Sequence, residues 1–400
     1  MTLIPDYLKL AEWTKTMRRS VMREMIQVIA RPGVLSLAGG LPAVELFPVE
    51  ELSEMAAKVL LADPRALQYG PPVRPLLDHI TTLMAMRGVT VSPEQICLTT
   101  GAQQGLDIIA RLFMEPGREV MLEEITYTGA QLVVQPYSPR ILPIPVDTQD
   151  GMDVDAVEKT MQAGHKPAYL YTVTDGHNPL GVSLSAEKRE RLAAIARHYG
   201  LPVVEDDPYG LLHYDEAMLP PIRAFDDQWV FYVGSFSKIL APALRLGWLV
   251  VPPALVTALT VVKESVDLES SQLMQRLVVA YLESGEMPNR LERLRTVYRR
   301  RRDVMLAALA DYFPEEARWS RPSAGMFVWV ELPEKVNTKA MLETAVAQEK
   351  VAYIPGYAFA VDGKQAMNCM RLNFTTSTEE QIETAVARLG RVIKRELAGM

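Results

Sequence analysis

Between about residue 95 and residue 250, short apolar runs alternate with stretches whose apolar positions recur at helical spacing. The runs predict strands at 96–99, 120–123, 140–144, 168–172, 202–205, 230–234 and 247–251, bounded by turn-forming residues. The intervening pattern predicts helices at 103–113, 127–135 and 186–199. Alternation of this kind implies an α/β unit on a mostly parallel, seven-stranded sheet. Ligands of such sheets sit beyond the carboxyl ends of the strands. After about residue 253 the pattern becomes helical, and 291–312, rich in Arg and Leu, reads as a partly exposed, solvated connecting helix. Alternation over 326–332 and 370–374 predicts two further strands of a smaller α+β unit. The expected organisation is an N-terminal segment 1–48 packing with the small domain, a large domain 49–290 and a small domain 291–400.

Composition narrows the function classes. With 48% hydrophobic and 23% charged residues in 400, the chain can bury a large core and divide into two domains. A net charge of -7 without a basic run disfavours nucleic-acid binding. No apolar stretch reaches membrane-spanning length, and the first residues lack the layout of a signal peptide. Two cysteines, Cys97 and Cys369, are too few for a disulfide framework, so a cytoplasmic setting is expected. The five histidines form no ligand-spaced cluster, and no metal site is expected.

The most informative run is Gly234-Ser235-Phe236-Ser237-Lys238, followed by Arg245. Short hydroxyl donors and an always-charged planar fork suit a phosphate dianion, and a lysine among them can form an imine with a carbonyl. Together they suggest pyridoxal 5'-phosphate (PLP); a surface Lys-Arg pair flanking a strand is the plainer reading. Other segments add weight. Gly101-Ala102-Gln103 follows a strand and opens a helix, where backbone N–H groups form an anion site or simply a tight turn. Glu205-Asp206-Asp207 ends a strand three residues before Tyr209, counted from Asp206. A carboxylate there can hold a pyridine nitrogen protonated, and a nearby phenol can bond the ring oxygen. Which acid does so is open, although the spacing to Tyr209 favours Asp206. Asn178 lies in a turn sequence, Tyr127 is either a stacking ring or a core residue, and Arg371 on an alternating strand is either a surface residue or a carboxylate fork.

These segments stand in the order of fold-type I PLP enzymes. The chain resembles the class I and II aminotransferases along nearly its whole length, most closely the 2-aminoadipate/kynurenine group. The runs Arg31-Pro32-Gly33, Gly39-Gly40-Leu41-Pro42, Gln68-Tyr69-Gly70 and Gly325-Met326-Phe327 support it. The resemblance implies that Lys238 carries the cofactor and shuttles the proton, and that Asp206 pairs with the ring nitrogen. Asn178 and Tyr209 would meet the ring oxygen and Tyr127 would stack on the ring. Gly101, Ala102, Gln103, Ser235, Ser237 and Arg245 would form the phosphate site, and Tyr69 would reach the phosphate of a neighbouring subunit in a homodimer with shared sites. Arg371, with Asn178, would grip the substrate α-carboxylate beside Gly40, and Ser20 and Arg23 would approach its side chain. The implied activity moves an amino group between an L-amino acid and a 2-oxo acid. Two departures keep other readings in view. Leu180 stands where the family writes a hydroxyl residue, and Asp175-Gly176-His177 differs from the usual aromatic-Gln pair. They admit elimination, replacement or cyclisation on the same scaffold, with His177 as an extra acid or base. A non-catalytic effector-binding module is a further alternative.

Overall fold

The computed structural model describes residues 9–11, 13–14, 32–215 and 218–399; Ser20 and Arg23 lie outside the described residues. Seven strands form one sheet in the order Ile96–Thr99, Gly247–Val250, Val230–Ser235, Val203–Asp206, Leu170–Thr172, Glu119–Glu123, Arg140–Ile144. Gly247–Val250 runs antiparallel to both neighbours, and the remaining pairs are parallel. All seven coincide with the strands expected from the apolar runs, with ends shifted by at most two residues. Sheets of parallel strands are covered on both faces, which is why the runs are nearly continuous in Val, Leu and Ile. Val203, Val204, Val230, Phe231 and Val233 are buried accordingly.

The helices between the strands follow their local signals. Ala186–Tyr199 starts where Ser185 Oγ accepts from the Lys188 N–H at 3.2 Å and ends at Gly200 in the left-handed region. Ala102–Phe113 buries Leu106, Ile108, Ile109 and Ala110 against the sheet. A second sheet has the order Arg318–Trp319, Phe327–Glu331, Cys369–Asn373, Ile354–Pro355, all antiparallel. Its second and third strands are the two expected from alternation. The Cys369–Asn373 strand is buried along its whole length, so Met370 and Leu372 on one face and Arg371 on the other are all covered.

The Arg- and Leu-rich segment is not a solvated connector. The helix Met287–Tyr312 buries Leu291, Leu294, Tyr298, Met305 and Leu309, and its arginines reach inward as well. Arg290 donates to the carbonyls of Leu46, Ile239 and Leu240, each at 2.6 Å. Arg301 donates to Thr375 O at 2.5 Å and pairs with Glu45. Tyr298 Oη accepts from the Ala43 N–H at 3.0 Å. These arginines are tolerated inside because main-chain carbonyls satisfy them. The helix thereby ties residues 43–46, the chain just after Lys238 and the small sheet to one another. Among the described residues no helix is long and apolar enough to cross a membrane.

Candidate active site

The carboxyl ends of the central strands open into a cavity of about 500 Å³. Lys238, Asp206, Tyr209, Asn178, Tyr127, Arg371, Gly40, Ala102, Gln103, Ser235, Ser237 and Arg245 all line it. Gly101 stands just behind. Its φ of +81° is open to glycine, and a Cβ there would lie 2.5 Å from Arg245 Nη2. Tyr69 is outside the cavity and 76% exposed. Residues given no role from the sequence also line the wall, notably Leu41, Thr128, Leu132 and Val173.

One side of the cavity is built for an anion. Ala102 and Gln103 open a helix, where the first N–H groups have no helical acceptor. Ser235 Oγ and Ser237 Oγ stand 2.9 Å apart at the end of the Val230–Ser235 strand. Arg245, in the left-handed region at φ +48°, is anchored by its bond to Thr100 O at 2.9 Å.

The acid triplet sorts itself by partner. Glu205 accepts from Thr174 Oγ1 and from the Ile222 and Arg223 N–H groups at 2.8–2.9 Å. Asp207 accepts from Arg87 at 3.1 Å, Tyr232 at 2.8 Å and the Gly210 N–H at 2.6 Å. Asp206 alone faces the cavity. Its Oδ2 accepts from Tyr171 Oη at 2.9 Å, and its buried Oδ1 has no hydrogen-bond partner among the described residues. Burial raises the Asp206 carboxyl to about 7, with the Asp207 charge adding to the rise and the Tyr171 hydroxyl and Lys238 opposing it. A buried acceptor left open in this way suits a protonated ring nitrogen.

Lys238 Nζ donates to Gly40 O at 2.8 Å. Burial, reinforced by the Arg371 and Arg245 charges, lowers its ammonium to about 8. Arg371 is fully buried; Nη1 donates to Asn178 Oδ1 and Nη2 to Ala38 O, both at 2.7 Å, and its plane lies 4.2 Å from the Phe327 ring centroid. A surface position, which the strand pattern alone favours, is thereby corrected. A Cβ on Gly40 would come 3.4 Å from Phe327, so the absence of a side chain keeps this corner open. Tyr127 and Tyr209 line the same cavity, and burial raises both phenols, Tyr127 to about 12.

The departures from the family pattern are structural. Leu180 is buried in the main core. His177 Nδ1 accepts from the Leu180 N–H at 3.3 Å, so its ring proton sits on Nε2, 2.7 Å from Glu123 Oε2. Both ring nitrogens are occupied within the fold, and the ring is not part of the cavity wall.

Phosphate donors, an open buried carboxylate and a low-affinity amine around one cavity fit PLP, and with the sheet they define a fold-type I PLP-dependent enzyme. A sequence model of the aminotransferase class I and II family matches residues 33–389, and the chain belongs to that family. It is 40% identical to aromatic-amino-acid aminotransferase 1 of Thermococcus litoralis, covering 98% of this chain and 96% of that protein. It is 39% identical to 2-aminoadipate transaminase of Thermus thermophilus, covering 95% of each. The solved alpha-aminoadipate aminotransferase of Thermus thermophilus, complexed with N-(5'-phosphopyridoxyl)-L-leucine, superposes with a TM-score of 0.90 at 37% identity over 98% of each chain. The protein is a PLP-dependent aminotransferase.

Proposed function

We propose that the cavity transfers an amino group from an L-amino acid with an aromatic or long apolar side chain to a 2-oxo acid, in alternating half-reactions. The observation that carries this reading is the position of Lys238 between two sets of anion-binding groups. On one side stand Ser235, Ser237, Arg245 and the amides of Gly101, Ala102 and Gln103, which would hold the cofactor phosphate. On the other stand Arg371 and Asn178, which would hold the substrate α-carboxylate beside Gly40. When bound, the cofactor supplies an electron-withdrawing ring that stabilises the charge left when the Cα–H bond breaks. Asp206 would keep the ring nitrogen protonated through its open Oδ1, with Tyr171 fixing the other oxygen. Tyr127 would cover the ring face, and Asn178 and Tyr209 would donate to the ring oxygen. Lys238 Nζ, neutral over much of the range above pH 8, would take the Cα proton and return it on the cofactor side.

Leu41 and Leu132 make the wall around the substrate side chain apolar, which supports an aromatic or long aliphatic donor, as does the relative named for aromatic amino acids. Arg23, with Ser20, would serve a distal carboxylate. Arg23→Ala should therefore lower kcat/KM for a dicarboxylic donor and leave an aromatic one unchanged. Tyr69 is proposed to reach the neighbouring site of a homodimer, with the strongly exposed Leu61 and Leu67 covered by the partner. A cytoplasmic setting and the division into 1–48, 49–290 and 291–400 complete the proposal; the second boundary lies in the first turn of the helix Met287–Tyr312.

The test loads the enzyme with PLP and adds single amino acids without any oxo acid. One equivalent of oxo acid per site, with lasting loss of the cofactor's visible absorption, is expected. Turnover that restores the starting spectrum without a second substrate would refute the assignment.

A further inference from the structure

Arg87 follows the helix Arg74–Met86, and its side chain runs into the interior, where only 3% of the residue is exposed. Its guanidinium makes three contacts. Nη2 donates to Asp175 Oδ2 at 2.5 Å and to Asp207 Oδ2 at 3.1 Å, and Nη1 donates to Gly210 O at 2.8 Å. The two carboxylates belong to different segments of the site. Asp175 opens the turn that leads to Asn178. Asp207, next to Asp206, and Gly210 bracket Pro208 and Tyr209. The planar fork therefore spans the two chain segments that meet the cofactor ring from different strands.

Other groups face the same carboxylates. Asp175 is also held by Arg189 at 2.5 Å and by His213 Nε2 at 2.9 Å. Asp207 also accepts from Tyr232 and from the Gly210 N–H. Of the two carboxylates, Arg189 and His213 bond only Asp175 and Tyr232 only Asp207, although His213 itself belongs to the segment that carries Asp207. Among the described side chains, Arg87 alone bonds both.

We infer that Arg87 is a positioning residue of the transamination site: by bridging Asp175 and Asp207 it sets the separation of Asn178 from Asp206 and Tyr209. The inference rests on the roles proposed above for those three residues. A buried ion pair adds little net stability compared with an apolar replacement, so stability alone is a weak account of three charged groups in the interior. Fixing two loops at one spacing is an account that uses the fork geometry. If the bridge is loosened, Asn178 and Tyr209 no longer donate to the ring oxygen together. The bound cofactor then holds its proton more tightly, and Arg371 loses its aligned partner in Asn178.

The test uses the PLP-loaded enzyme and two variants. Arg87→Lys keeps the charge and loses the fork. The charge-balanced pair Arg87→Met with Asp207→Asn removes the bridge and leaves Asp175 paired with Arg189 and His213. In a folded, cofactor-bound variant, the pH midpoint of the bound cofactor's absorption should rise by roughly half a unit or more. The KM for the amino acid should rise, and kcat/KM should fall by roughly tenfold to a hundredfold. If both variants keep the wild-type midpoint and KM while only the melting temperature falls, Arg87 is a stability element and the inference is overturned. The same conclusion follows if neither variant yields folded protein. Lys238→Ala serves as the control for the underlying site: if that variant turns over, the site assignment fails irrespective of Arg87.

Discussion

The two sides of the cavity proposed to bind anions are built on different plans. The proposed phosphate side draws on two short local segments. Ser235, Ser237 and Arg245 lie within one strand–turn–strand connection, and Gly101 to Gln103 come from the strand next to it. The carboxylate side is assembled from afar: Arg371 comes from the small sheet, Asn178 lies 193 residues away in sequence, and the Ala38 carbonyl 333. The first is as rigid as the large sheet. The second exists only when three separate parts of the chain are docked together. A permanent ligand suits the local plan, and a substrate exchanged twice per cycle suits the assembled one.

Lys238 belongs to neither side, and its loss has the largest effect: Lys238→Ala should abolish multiple turnover while PLP is still retained, as read by absorbance after desalting. Next, Arg371→Ala should raise the amino-acid KM and lower kcat/KM by roughly thirty- to a thousandfold, the cost of leaving a carboxylate without its buried fork. Retention of PLP in this variant would sharpen the contrast, and loss of PLP would break it. Third, PLP loading should depend on pH through the Lys238 amine. Because burial and the two arginines lower that ammonium to about 8, loading should speed up about tenfold per pH unit below that point and level off above it. A rate still climbing tenfold per unit at pH 10 would contradict the lowered value. Fourth, Arg245→Ala should weaken PLP binding by about tenfold, with an unchanged amino-acid KM at saturating PLP. The smallest effect is expected for Tyr171→Phe. This change removes a donor to ionised Asp206, so burial acts with less opposition and the carboxyl rises further. The acidic limb of kcat/KM should move to higher pH, with a fewfold lower rate at neutrality; an unshifted limb would remove Tyr171 from the site.

The same division governed what could be read from the sequence. The proposed phosphate side stood out because its donors fall in two short motifs, each continuous along the chain. Arg371 was not. An alternating strand carrying one arginine looks like an edge facing water, and only the packing of Phe327 and Phe359 against the guanidinium makes it interior. The helix Met287–Tyr312 misled for a related reason, since periodicity cannot show that an arginine will meet the carbonyls of a distant loop. Tyr171 left a signal that was overlooked. A tyrosine in a buried strand needs an acceptor for its hydroxyl, and the adjacent parallel strand leads into three acids.

Those acids also bear on how the strand finds its place. Side chains alternate faces along a strand, so Glu205 and Asp207 share one side while Asp206 takes the other. Each has its own set of donors, drawn from a different neighbourhood. A slip of one position against Val230–Ser235 would turn two carboxylates toward the cavity and pull Asp206 in among donors set for its neighbours. The Tyr232 hydroxyl and the Ile222 and Arg223 amides would lose their acceptors inside the protein, a fault far costlier than a shuffled set of valines. Three adjacent charges, of which one faces the cavity, thus act as a proofreading mark for assembly of the sheet.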